Sequence, residues 1–173
     1  APTTAAGIIS VLKRVVKYAG ERECTVADIS GVYIRQPQKP LRIFSMAEQQ
    51  RLSDYLYRDL SLSNLGILVS LYTGIRIGEI CALKWEDISF EEKTIYVHRT
   101  LQRLQTLQKE ERRTAIRITR PKSDSSVRKI PIPDDLCHML FEKRGAEDTY
   151  LLTGKSGIFV EPRTMENRFR AVM

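Results

Sequence analysis

The chain is poor in the side chains that hold metals and disulfides, with two histidines and three cysteines among 173 residues. Cys24, Cys81 and Cys137 are odd in number and far apart, which argues against a disulfide framework and against a zinc cluster. His98 reads as the end of a strand and His138 as a helix-surface residue, and no metal is implied. No apolar run approaches the roughly 18 residues that cross a bilayer, and the N-terminus lacks the charged-then-apolar layout of a signal peptide. The sequence therefore reads as soluble and intracellular. The stretch Leu151–Gly157, LLTGKSG, lacks the earlier glycine of a phosphate-cradling loop, because Thr149 stands five positions before Gly154; it reads as a turn, and no nucleotide cofactor is implied.

Acidic residues are scarce in one segment alone. Between Arg99 and Lys129 ten basic residues face three acidic ones, a local excess of +7 that equals the net charge of the whole chain. The excess covers Arg99, Arg103, Arg112, Arg113, Arg117, Arg120, Arg128 and Lys129, as expected if one face meets a polyanion. A solvated basic surface is the plainer explanation of such a run when it is taken alone.

With 42% hydrophobic and 28% charged residues, the composition is that of a globular protein. Ile8, Val11, Leu12, Val15 and Val16 recur with helical spacing over Thr4–Ala19, and Gly20 closes that helix. Gly31, Pro37 and Pro40 punctuate a linker ending near Pro40. Ser45 and Glu48 form a capping-box pair opening a helix over Met46–Leu60. Another helix is expected over Asn64–Tyr72, burying Leu65, Leu68, Val69 and Tyr72, and a third from Arg76, burying Ile77, Ile80 and Cys81.

Ile88–Phe90 and Thr94–His98 read as strands joined by a turn, as do Ala115–Thr119 and Val127–Ile132 around Pro121–Ser126. Leu101–Ala115 reads as an extended basic loop or hairpin that tracks a phosphate backbone. Asp134 is expected to cap a helix over Asp135–Arg144 that buries Leu136, Met139 and Leu140, Tyr150–Thr153 to form a weak strand, and Pro162 to open a last helix. The fold class is mixed α+β, mainly helical with a small antiparallel β-sheet.

Two cations stand in settings of chemical interest. Arg76 follows the tight turn at Thr73-Gly74, at the mouth of a helix whose first N–H groups lack helical partners. A guanidinium fork there suits phosphate oxygens, although Glu79 three residues on would equally explain an ordinary surface ion pair. Lys122 stands on the turn Pro121-Lys122-Ser123-Asp124, from which it could reach a phosphate site and act as a general acid.

The run Thr73-Gly74-Ile75-Arg76-Ile77-Gly78-Glu79-Ile80, continued by Leu83, Trp85, Asp87 and Ile88, resembles the first signature box of the tyrosine recombinase (phage integrase) family. Pro121–Pro133, PKSDSSVRKIPIP, is similar to that family's hairpin bearing a catalytic lysine, and Phe44–Glu48 resembles the start of its catalytic domain. Gly7–Gly20 resembles the closing helix of the preceding core-binding domain, so the resemblance implies residues 1–40 as that helix plus linker and 41–173 as the N-terminal portion of the catalytic domain. It further implies site-specific cleavage and rejoining of double-stranded DNA through a phosphotyrosine, with no cofactor, in a bacterial or phage-derived protein of the cytoplasm that acts as a homotetramer on paired sites. By that analogy Arg76 neutralises the scissile phosphate, Lys122 protonates the departing 5′ oxygen and Glu79 supports the site from behind. The family's His-x-x-Arg box and its later nucleophilic tyrosine are absent from the 173 residues, the last tyrosine being Tyr150. The expectation is therefore of a chain cut in mid-domain that does not cleave DNA alone. The competing reading is a non-catalytic DNA- or RNA-binding module that keeps the basic face.

Overall fold

Capping chemistry sets the helix boundaries. The structure, a computed structural model, describes residues 2–22, 24–35, 40, 42–105, 114–121 and 126–173. Two units divide at Ile43/Phe44. In the first, α1 (Pro2–Gly20) is followed by irregular chain, and Lys13 Nζ donates to the Ser30 carbonyl at 2.6 Å. The stripe of Ile8, Val11, Leu12, Val15 and Tyr18 is exposed on α1.

In the second unit, α2 (Met46–Arg58) starts at the expected capping box: Glu48 N–H donates to Ser45 Oγ, and Ser45 N–H donates to Glu48 Oε2. Ser61 caps α3 (Leu62–Thr73) in the same way, accepting from Asn64 N–H, which starts the helix two residues before the expected Asn64. The α3 stripe is Leu65, Ile67, Leu68 and Val69; Tyr72 turns outward and meets Tyr57 hydroxyl to hydroxyl at 2.8 Å. Gly74 ends α3 in the left-handed region at φ 63° and donates back to the Ser70 carbonyl. A side chain there would cost about 1 kcal/mol or more. α4 (Ile77–Ala82) buries Glu79, Ile80, Cys81 and Ala82, whereas Ile77, expected inside, is exposed. The buried side is the C-terminal half of this six-residue helix, and Ile77 stands at its exposed start.

A 3-10 turn (Trp85–Asp87) leads into β1 (Ile88–Ser89) and β2 (Thr94–Val97). β3 (Thr100–Gln105) pairs antiparallel with β4 (Thr114–Thr119), and β5 (Arg128–Pro131) pairs antiparallel with β2. The expected hairpin between the fourth and fifth strands is thus replaced, among the described residues, by two sheets of order β1-β2-β5 and β3-β4. The strand at Thr100–Gln105, read from the sequence as part of an extended loop or hairpin, takes the partner assigned to β5. α5 (Asp134–Glu142) follows, with Pro133 rather than Asp134 at its N-cap; the Asp134 carboxylate bonds Lys93 Nζ at 2.7 Å instead. Tyr150–Thr153 is a turn with a single bridge, Lys84↔Tyr150, and α6 (Pro162–Val172) ends the unit.

Trp85, Leu65, Leu68, Ile95, Leu101 and Leu136 lie at the centre of the core. α4 rests on β3 through Gly78, where a Cβ would come within 2.7 Å of both the Leu101 carbonyl oxygen and Thr100 Oγ1. Among the described residues no helix is long and apolar enough to cross a membrane.

Candidate active site

Among the described residues two carboxylates are buried, Glu79 at 3% and Asp87 at 6% exposure, and each is taken by an arginine from the sheet region. The local turn builds the first pair. Thr73 Oγ1 donates to the Val69 carbonyl and accepts from Ile75 N–H, so the chain leaves α3 with Arg76 extended at the N-cap of α4. The Arg76 N–H then donates to Glu79 Oε2 at 3.0 Å, and its guanidinium donates to Glu79 Oε1 at 2.9 Å. The helix mouth is therefore partly closed by its own glutamate, where the sequence led us to expect N–H groups free for a phosphate.

From the other side Arg128, at the start of β5, grips the same carboxylate with both arms, at 2.9 Å to Oε2 and 3.2 Å to Oε1, and donates to the Ser126 carbonyl at 3.0 Å. Burial pushes the Glu79 carboxyl up, but the bonds from Arg128 and from the Arg76 backbone and side chain outweigh it and hold the group below its ordinary value. One buried negative charge thus stands between two guanidinium groups, leaving one positive charge over. The Arg76 side chain is 68% exposed and that of Arg128 30%, so the excess is offered to solvent by Arg76.

The second pair has the same design. Arg99 donates to Asp87 at 2.7 Å and to Glu86 at 2.9 Å, while His98 Nε2 stands 2.8 Å from Asp87 Oδ1 and its ring stacks on Tyr96. Asp87 Oδ2 also accepts from Lys84 N–H at 2.9 Å. Arg99 and Arg128 were expected on the basic face. The structure instead turns both forks inward, because a buried carboxylate without a cation is far costlier than a solvated arginine. A signal for this was present in the sequence: Arg99 shares the parity of Ile95 and Val97, and Arg128 that of Ile130 and Ile132, so period-two alternation aims both at the core.

The other basic residues keep outward positions. Arg117 and Arg120 are exposed. Arg103 pairs with Glu161 at 2.7 Å and Lys129 with Glu92, both as surface pairs with little energetic weight. Lys122, Arg112 and Arg113 lie outside the described residues. Tyr150 is only 6% exposed. Burial pushes the Cys81 thiol up to about 12, so this sulfur is inert. Among the described residues no group of three or more metal-ligating side chains comes together.

A sequence profile described as the phage integrase family matches residues 41–172, and the chain belongs to that family. It is 37% identical over 81 residues to a XerC-like tyrosine recombinase of Caldanaerobacter subterraneus subsp. tengcongensis, a match that covers 46% of this chain and 21% of the relative. Its fold is similar to that of the Tn1549 transposon integrase solved with transposon right end DNA, with a TM-score of 0.69 at 21% identity, covering 93% of this chain and 54% of that one. It is also similar to XerA recombinase, with a TM-score of 0.55 at 20% identity, covering 92% and 50% of the two chains. The chain thus spans a fifth of its sequence relative and about half of each solved structure.

Proposed function

We propose that this chain carries the phosphate-holding part of a site-specific recombinase that cuts and rejoins double-stranded DNA through a phosphotyrosine. The observation that carries the reading is the Arg76 guanidinium, exposed yet anchored through a buried glutamate, with a positive charge left over once that glutamate is balanced. Preorganised positive charge facing the charge that develops on a phosphorane is the strongest single source of acceleration open to such a reaction. Arg76 faces the non-bridging oxygens of the scissile phosphate. A tyrosine hydroxyl gives up its proton to solvent as its oxygen attacks phosphorus, the P–O5′ bond breaks as the P–O(Tyr) bond forms, and Lys122 passes its own proton to the departing O5′. Glu79 does not react.

The tyrosine is supplied from outside these residues, since Tyr150 is buried and no His-x-x-Arg follows it. The 173-residue chain accordingly binds DNA without cutting it, and the complete enzyme works as a homotetramer on paired sites. Arg117, Arg120 and the segment containing Arg112 and Arg113 hold the DNA backbone without reading its sequence.

In the protein expressed from its complete gene, Arg76→Ala lowers cleavage of a nicked duplex by about 10²-fold or more while DNA affinity changes by less than about tenfold. Trapping the covalent adduct in a denaturing gel measures the first, and fluorescence anisotropy the second. An equal, small loss in both would favour the non-catalytic DNA- or RNA-binding module.

A further inference from the structure

Among the described residues Arg128 is the basic side chain that meets the Arg76–Glu79 pair from a distant part of the chain, and its geometry differs from theirs. Arg76 touches the carboxylate with a single guanidinium nitrogen, whereas Arg128 engages both oxygens through two nitrogens and is the less exposed of the two. We propose that Arg128 is a positioning residue that neutralises Glu79, so that Arg76 keeps a full positive charge for the phosphate; this rests on the function proposed above.

Glu79 is 3% exposed and requires a cation whatever its neighbours are. With Arg128 in place that requirement is met by a bidentate fork, the strongest arrangement a carboxylate has. Arg76 is then held by one arm and by its own backbone N–H, with its remaining donors directed to solvent. Without Arg128 the guanidinium left on Glu79 is that of Arg76, which swings from one-armed to two-armed contact. The cation meant for the phosphate becomes half of an internal ion pair. Arg128 also ties β5 to α4 and donates to the Ser126 carbonyl.

Unlike an ordinary DNA contact or a packing residue, Arg128 on this assignment is one whose loss can be rescued. In the protein expressed from its complete gene, Arg128→Gln lowers the single-turnover cleavage rate by about 10²-fold while DNA affinity stays within about threefold. Adding Glu79→Gln to Arg128→Gln removes the charge that captures Arg76 and recovers about tenfold of the lost rate. A double variant no faster than the single one, or affinity falling in step with rate, would overturn the proposal. The 173-residue chain supplies a second test that needs no DNA: carbon-detected NMR titration of the Glu79 carboxyl. Arg128→Gln should raise its midpoint more than Arg76→Gln does; an equal or smaller rise defeats the neutralising role. If the wild-type protein cleaves nothing, the recombinase reading falls, and the titration still decides whether Arg128 balances Glu79.

Discussion

Glu79 shows at the scale of one residue why a spacing rule needs a burial test. Three residues after Arg76, it fits the pattern of an exposed helix pair worth a few tenths of a kcal/mol. Its burial changes the meaning, since a carboxylate inside the core with four bonds from arginines is part of the structure. The pH dependence follows from the direction of its shift. Its folded value lies below 4.5, so its stabilisation is fully present above that value and is lost as pH falls through the folded value. Glu79→Gln should therefore cost about 2 kcal/mol at neutral pH. The gap to wild type should narrow on acidification below the ordinary carboxylate range, as read by denaturant melts from pH 7 to 3. A gap that stays constant across that range would mean that Glu79 carries no linked proton. The contact between Arg76 and Glu79 was legible from the sequence, because the glycine turn and both residues are local. The second arginine on the same carboxylate was not, because Arg128 lies 49 residues from Glu79.

Among the elements, helices were easier to read than sheet partners. Ser45/Glu48, Gly74 and Pro162 mark the boundaries of α2, α3 and α6 within two residues or so, since capping is decided by neighbours along the chain. Strand alternation told which segments are extended but not whom they join. β4 and β5 flank a segment that reads as a turn and so resembled a hairpin in sequence, yet each pairs with an earlier strand. The deciding contact is α4 on β3: Gly78 lets the helix backbone approach Thr100 and Leu101, which fixes β3 as a core strand. Gly78→Ala should cost about 2 kcal/mol, because the clash includes a backbone carbonyl that cannot rotate away. The check is a lower urea midpoint at unchanged slope. An unchanged midpoint would show that α4 can shift freely over β3.

Over the whole molecule the charge census points to a polyanion, but it overcounts the face that meets it. Arg99 and Arg128 contribute to the +7 segment while their forks serve Asp87 and Glu79. Plots of log affinity for duplex DNA against log salt should separate the groups. Arg117→Gln and Arg120→Gln should each lower the slope by about 0.9, and neutralising Arg112 and Arg113 should flatten it further. Arg99→Gln should leave the slope unchanged and lower stability instead. A slope insensitive to Arg117 and Arg120 would move the DNA to another face.

The β3–β4 ribbon has a further consequence. Its inner end is fixed, with Leu101 in the core and Thr100 under Gly78, whereas Arg103, Leu104 and Gln105 are exposed. β2 and β5 close their own register, Val97 opposite Arg128, across the excursion between them. Changing the number of residues beyond Gln105 alters closure entropy by only about 0.6 kcal/mol per doubling and does not reach the Glu79 bracket. The ribbon is thus a replaceable attachment: the chain beyond Gln105 can be exchanged for one of another length or charge while the carboxylate bracket around Glu79 keeps its arginines.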